Sequence, residues 1–396
     1  MTSIPNSNSK IVAISDPHLG QCGADGLGQY SLLSTRSSTN RVAAFVDAVA
    51  SFSAGDPVTL LVAGDLLDLS LAYFGDAVED LRALLAAIAA AAVRIDEVVH
   101  VVGNHDQHVW SMHSEERRLL SHLRDGRVPS TGITAADKAA YHVTSRAGES
   151  HVLLRPLVEK IFEGSPPPKV TIAYPSYERS LTDDVTLYVT HGHLFGGIYT
   201  ELSSLVGDRL AGLPHDRVAA TVNQPLVELV YWLLGETGEG VGADGLVESI
   251  YTDMQRGSIS KVRDLVVRLV EQILPHGVLW RVLGSLERRI VVDAVMSVLS
   301  KILLSPSTIT ATSADRFADL QETRDGLRAW LSAIEWPTQA QTVAIYGHTH
   351  VWDDWEVPDT RVHSWNLSTW LVEPDHPPPR SGFLAIHGAE ARWVDI

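Results

Sequence analysis

Short apolar runs rich in β-branched residues recur along the chain at residues 11–15, 58–63, 98–102, 170–173, 186–190 and 343–346, each followed closely by a polar cluster. Runs of that length and composition predict buried strands. Helical patterns at residues 41–52 and 77–93, the second rich in Ala and Leu, separate the first three. Strand–helix–strand alternation predicts parallel strands with helices packed on the sheet. The later runs, with residues 361–367, 383–387 and 391–394, lack intervening helices and predict antiparallel pairing. The expectation is a mixed, layered α/β fold.

Residues 197–336 break this rhythm. Within 261–274 the apolar positions Val262, Leu265, Val266, Leu269, Val270, Ile273 and Leu274 follow the i, i+3, i+4, i+7 spacing of one helix face. Residues 278–304 are apolar over most of a helical surface, relieved at four-residue spacing by Arg281, Ser285, Arg289, Asp293 and Ser297. A Gly-rich run at 235–245 predicts a loop or hinge. We read 197–336 as a large all-helical insertion, a lid or cap, within one domain spanning 1–396.

Composition narrows the possibilities. The formal charge of −17, from 31 Lys+Arg against 48 Asp+Glu, argues against nonspecific binding to nucleic acid or anionic membranes. The single cysteine, Cys22, excludes an internal disulfide and any Cys-based metal cage. Residues 1–10 lack the layout of a signal peptide, and the longest apolar stretches, 225–234 and 290–304, are too short or too interrupted to span a bilayer. The expectation is a soluble, cytoplasmic protein.

Five polar clusters at strand ends carry the chemistry: Asp16-Pro17-His18, Gly64-Asp65-Leu66-Leu67-Asp68, Gly103-Asn104-His105-Asp106, His191-Gly192-His193 and Gly347-His348-Thr349-His350. Residues two apart on an extended chain point to the same side, so Asp16 with His18, and His348 with His350, can converge. In open α/β sheets the carboxyl ends of the strands border the ligand crevice. The donors are carboxylate, amide oxygen and imidazole, a set suited to Mn, Fe, Zn or Ni and too nitrogen-rich for a Ca or Mg cage. Two divalent ions bridged by one carboxylate would polarise an oxyanion and lower the pKa of a bound water. Simpler readings exist for single clusters: Asp and Asn cap helices, and Gly64, Gly103 and Gly347 serve as turn glycines.

The ordered set D-x-H, G-D-x-x-D, G-N-H-D, H, G-H-x-H resembles that of the calcineurin-like metallophosphoesterase superfamily over residues 11–193 and 342–396. The resemblance implies a two-sheet β-sandwich flanked by helices. It implies one metal ion held by Asp16, His18 and His350, a second by Asn104, His191 and His348, and Asp65 bridging both. Manganese is the first candidate, with Fe, Zn and Ni behind it. His105 matches the histidine that contacts the phosphate and protonates the leaving oxygen, and Asp106 the acidic residue that orients it. The implied activity is hydrolysis of a phosphate ester or diphosphate by attack of a metal-bound hydroxide. Asp68 is open to two readings, orienting a ligand or capping a helix; His193 is either a support behind the ligands or solvent-exposed. His108 is a candidate phosphate contact, and residues 20–28 a rim loop.

The expected substrate is a phosphorylated small molecule or a lipid-linked phosphate. A helical cap between the H-G and G-H-x-H blocks is similar to that of bacterial UDP-diacylglucosamine pyrophosphatases, although those carry arginine where this chain has His105. Tyr231, Trp232, Trp280 and Leu283 are candidates for lining an apolar groove or a homo-oligomer contact in the insertion. The alternatives are a Mn-dependent DNA nuclease, since several blocks also resemble the double-strand-break-processing branch of the superfamily, and a metal-binding scaffold without turnover.

Overall fold

The run Val58–Ala63, apolar except for Thr59, becomes a strand buried on both faces, and the sheets assemble around such runs. The computed structural model describes residues 10–23, 28–124, 143–163, 166–195, 200, 203, 213–228, 313–373 and 378–396. A seven-stranded sheet has the order β14-β13-β1-β3-β4-β6-β5, from β1 (Lys10–Ile14), β3 (Val58–Ala63), β4 (Ile95–Val101), β5 (Glu149–Ser150), β6 (Lys169–Ala173), β13 (Gly382–His387) and β14 (Glu390–Asp395). Its centre, β1-β3-β4-β6, is parallel. A five-stranded sheet has the order β10-β11-β9-β8-β7, from β7 (Ser176–Ser180), β8 (Val185–Thr190), β9 (Gln341–Tyr346), β10 (Trp352–Glu356) and β11 (Val362–Leu367). Short strands β2 (Tyr30–Ser31) and β12 (Leu371–Val372) pair separately. Helices α1 (Thr39–Ser53) and α2 (Phe74–Ala90) connect the first parallel strands, and α3 (Gln107–Arg124) and α4 (Leu154–Ile161) follow β4.

The two-residue period of each strand divides its side chains between layers. Val12 and Ile14 of β1 face the helices, in a core shared with Phe45, Leu81, Leu84 and Trp110. Ile11 and Ala13 face the second sheet, meeting Leu187, Val189, Val343, Ile345 and Leu367. The opposite face of the second sheet, with Tyr188, Ala344 and Tyr346, is covered by residues of α5 (His215–Val227) and of α6 (Ser313–Ala333) with the turn that follows it: Ala219, Leu327, Trp330 and Leu331 among them. The two-sheet sandwich flanked by helices therefore stands.

Antiparallel pairing holds for β13 and β14, but β11 runs parallel to β9, as β9 does to β8. The chain returns from β9 through β10, an antiparallel edge strand whose acidic sequence WDDWE hides it from an apolar-run criterion.

By compactness the chain divides into Met1–Glu236 with Glu322–Ile396, and Thr237–Gln321. Helix α5 and the second part of α6 lie inside the stretch read as an insertion, yet their apolar residues belong to the core of the first unit. The helical patterns at 261–274 and 278–304, the run 235–245, and Tyr231, Trp232, Trp280 and Leu283 lie outside the described residues. Among the described residues no helix is long and apolar enough to cross a membrane.

Candidate metal centre

Strands β1, β3, β4, β8 and β9 are parallel within their sheets, so the turns that leave them gather at their carboxyl ends. Asp16, His18, Asp65, His348 and His350 all have left-handed backbones, with φ of 51, 45, 49, 73 and 58°. Such conformations recur where function over-determines them.

Close backbone approach does the rest. A Cβ on Gly64 would lie 2.1 Å from His191 Nδ1, one on Gly103 2.1 Å from Asp65 Oδ1, and one on Gly347 2.1 Å from Asp16 Oδ2. Each motif glycine lets the backbone press against a predicted ligand, more than a turn requires.

Two groups of donors result. In the first, His18 Nε2 and His350 Nε2 are 3.2 Å apart. Asp16 Oδ1 lies 3.5 Å from His350 Nε2 and 3.9 Å from His18 Nε2, and Asp65 Oδ2 lies 3.7 Å from His18 Nε2. In the second, His191 Nε2 is 3.0 Å from Asn104 Oδ1 and 3.1 Å from Asp65 Oδ2. The His348 ring meets that of His191 edge-on, with centroids 5.2 Å apart. Thus all seven predicted ligands are brought together, and one oxygen of Asp65 faces both groups.

The far side of each ring tests whether metals fit. His18 Nδ1 is 3.0 Å from Asp68 Oδ2, His350 Nδ1 3.6 Å from Glu373 Oε2, and His191 Nδ1 2.9 Å from the Ala63 carbonyl. Those acceptors hold the proton on Nδ1 and turn the Nε2 lone pairs inward. Inside the site, each Nε2 then meets carboxylate or amide oxygens, contacts that need a proton or a metal cation between them. Such a set repels itself unless a cation sits there, and its N/O chemistry suits divalent transition metals.

The electrostatics point the same way. Burial opposes ionisation of Asp65, but His191, His105 and His18 outweigh it and hold its carboxyl well below the usual range. Burial likewise disfavours charge on His191 and His350. Asp65 and Asp16 nonetheless raise His191 to about 9, and Asp16 and Glu373 raise His350 to about 10. Positive charge is thus favoured between these carboxylates. Burial and the neighbouring His191 push His348 down to about 3, which keeps its ring neutral.

One role changes. Asp106 does not orient His105. Its Oδ1 accepts from the Gly103 amide (2.7 Å), and its Oδ2 from the Leu66 amide (2.8 Å) and the His100 ring (2.7 Å). It clamps two ligand-bearing turns together. The carboxylate beside the His105 ring is Asp68, with Oδ1 3.3 Å from Nδ1. Asp68 also accepts from the amides of Ser70 and Leu71, so it both orients rings and caps a turn. Burial disfavours charge on His105, but Asp68 and Asp65 outweigh it and raise its pKa.

His193 is buried, its ring 5.4 Å from that of His191 and 6.1 Å from that of Tyr174. His108 Nδ1 faces Glu228 Oε2 at 3.3 Å. Four neighbours escaped sequence reading: Glu373, Ser70, His100, and Ser15, whose hydroxyl bonds the Asp16 carboxylate and the Ala63 carbonyl. Of these only His100 carries a signal, as a polar residue inside the apolar end of β4.

The profile of the calcineurin-like phosphoesterase family matches residues 9–209, half of the 396-residue chain. A phosphopantetheinyl hydrolase from Mycobacterium tuberculosis is similar at 14% identity, covering 94% of this chain and 99% of that one, with a TM-score of 0.27. A dimetal phosphatase from Danio rerio is similar at 14% identity, covering 98% and 99%, with a TM-score of 0.31. Comparison with curated proteins gives no match. On the family match, which spans the first four ligand blocks, the chain belongs to the calcineurin-like phosphoesterases.

Proposed function

We propose that the protein is a binuclear metal-dependent hydrolase of phosphate esters or diphosphates. The observation that carries this reading is the shared oxygen of Asp65, 3.1 Å from His191 Nε2 and 3.7 Å from His18 Nε2, between two groups of inward-facing acceptors. Asp16, His18 and His350 would hold one ion, Asn104, His191 and His348 the other, and Asp65 both. Two divalent ions supply Lewis acidity, lowering the pKa of water and offsetting charge on phosphoryl oxygens. His105 donates a proton to the departing oxygen. Asp68 receives His18 Nδ1 on one oxygen and faces His105 on the other, so one carboxylate orients both a ligand and the acid. Glu373, Ala63 and Asp68 fix the ring tautomers that leave Nε2 free for metal. The proposed metal is manganese, and the proposed substrate a small or lipid-linked phosphate.

The test is a panel of monoesters, linear and cyclic diesters, nucleoside diphosphate conjugates and linear DNA, given to protein reconstituted with Mn, Fe, Zn or Ni. Metal-dependent turnover of a small ester or diphosphate is expected. Turnover of DNA alone, with steep salt dependence, would assign the nuclease reading instead. Two bound metals with no turnover of any member would leave a scaffold.

A further inference from the structure

We propose that Ser70 is a positioning residue that seats the His105 ring through a His105–Ser70–Asp68 relay, an inference that rests on the phosphoesterase reading above. Ser70 is buried, and its Oγ lies 2.7 Å from His105 Nδ1 and 2.8 Å from Asp68 Oδ1. The direct separation of Asp68 Oδ1 from the ring nitrogen is longer, 3.3 Å. An ionised carboxylate only accepts, so the Ser70 hydroxyl must give its proton to Asp68. Its oxygen is then the acceptor for Nδ1–H. The Ser70 amide is also bonded to Asp68 Oδ1 at 3.0 Å, which fixes the hydroxyl relative to the carboxylate. This sequence of donors allows one tautomer, with Nδ1 protonated and Nε2 left for the substrate. During hydrolysis the oxygen of a water molecule forms a bond to phosphorus as the bond from phosphorus to the leaving oxygen breaks, that oxygen takes the Nε2 proton, and the ring becomes neutral. The Nδ1 proton and the hydroxyl proton stay where they are.

The test compares wild type, Ser70→Ala and Ser70→Thr on bis(4-nitrophenyl) phosphate and on an alkyl phosphoester, with bound metal measured for each. Loss of one hydrogen bond to the ring predicts a fall of about tenfold or more for Ser70→Ala on the alkyl ester. The activated ester, whose leaving group needs no proton, should change less than about twofold. Metal content should be unchanged, and Ser70→Thr should restore alkyl-ester turnover. Equal losses on both esters, or no loss on either, overturn the proposal. Nitrogen-15 shifts of the His105 ring in the zinc-loaded protein give a second readout: wild type should have Nδ1 protonated, and an unprotonated Nδ1 overturns the proposal even if Ser70→Ala does not fold. Wild type that turns over neither ester would count against ester hydrolysis and leave the diphosphate members of the panel above to decide the function, while the ring shifts still decide the relay.

Discussion

Replacing Gly103 by Ala isolates the effect of close packing on the bridging ligand. Gly103 lies outside the left-handed region, so alanine meets no backbone strain, and the added methyl is the whole perturbation. That methyl would lie 2.1 Å from Asp65 Oδ1, 2.5 Å from its amide nitrogen and 2.8 Å from Cγ. Non-bonded heavy atoms rest roughly 3.5 Å apart, so the carboxylate must withdraw by about an ångström. Asp65 Oδ1 also accepts the His105 amide at 2.8 Å, and its movement therefore shifts the Asn104–His105 turn as well. Overpacking of this kind costs about 1–3 kcal/mol of stability. A displacement of about 1 Å at a reacting centre can cost roughly 100-fold in rate. The assay combines thermal melting, metal content after dialysis and turnover of an activated diester. Gly55→Ala is the control: its φ is +89° and a Cβ there meets nothing within 4 Å, so it should lose stability without losing activity. Gly103→Ala with two metals bound and wild-type turnover would refute the reasoning.

Other substitutions separate the roles around His105. His105→Asn should lower turnover of poor-leaving-group esters by about 100-fold or more and of aryl esters much less; equal losses would remove its role as acid. Asp68→Asn should reproduce part of that selectivity, whereas Asp106→Asn should show none and instead lower the melting temperature, having disturbed the bonds to His100, Leu66 and Gly103. The opposite pattern would restore Asp106 as the orienting residue. His191 and His350 have folded pKa values of about 9 and about 10 against an ordinary 6.5, so in metal-free protein they add stability that is complete below 6.5 and lost as pH rises through 9–10. Metal-free protein should therefore melt lower as pH is raised across that window; a flat or rising profile contradicts the assignment. For the same reason metal loading near neutral pH should release protons, measurable by calorimetry in buffers of different ionisation enthalpy, and zero release would count against those ligands.

The candidate ligands were legible because each follows a strand that the apolar pattern marks: the strand fixes the direction of the chain and the polar cluster begins where it stops. Strands β7 (SYERS) and β10 (WDDWE) were not, because edge strands carry charge and lack an apolar run. Asp106 was misread for a different reason. Its neighbour in sequence is His105, but its carboxylate turns back to the amides of Gly103, in the turn after β4, and Leu66, in the turn after β3. Adjacency along the chain does not fix where a side chain points. Ser70 and Glu373 meet their histidines across 35 and 23 residues of chain, through turns with no motif of their own. Only the assembled site connects them.

The central claim is that Asp65 joins two metal ions into one hydrolytic centre. It is tested most directly by measuring bound metal and phosphoester turnover on the same preparations of wild type and Asp65→Ala after reconstitution with Mn. The account predicts two ions per chain with turnover in the wild type, and loss of both ions together with nearly all turnover in the variant. Two ions and full turnover in Asp65→Ala would contradict it.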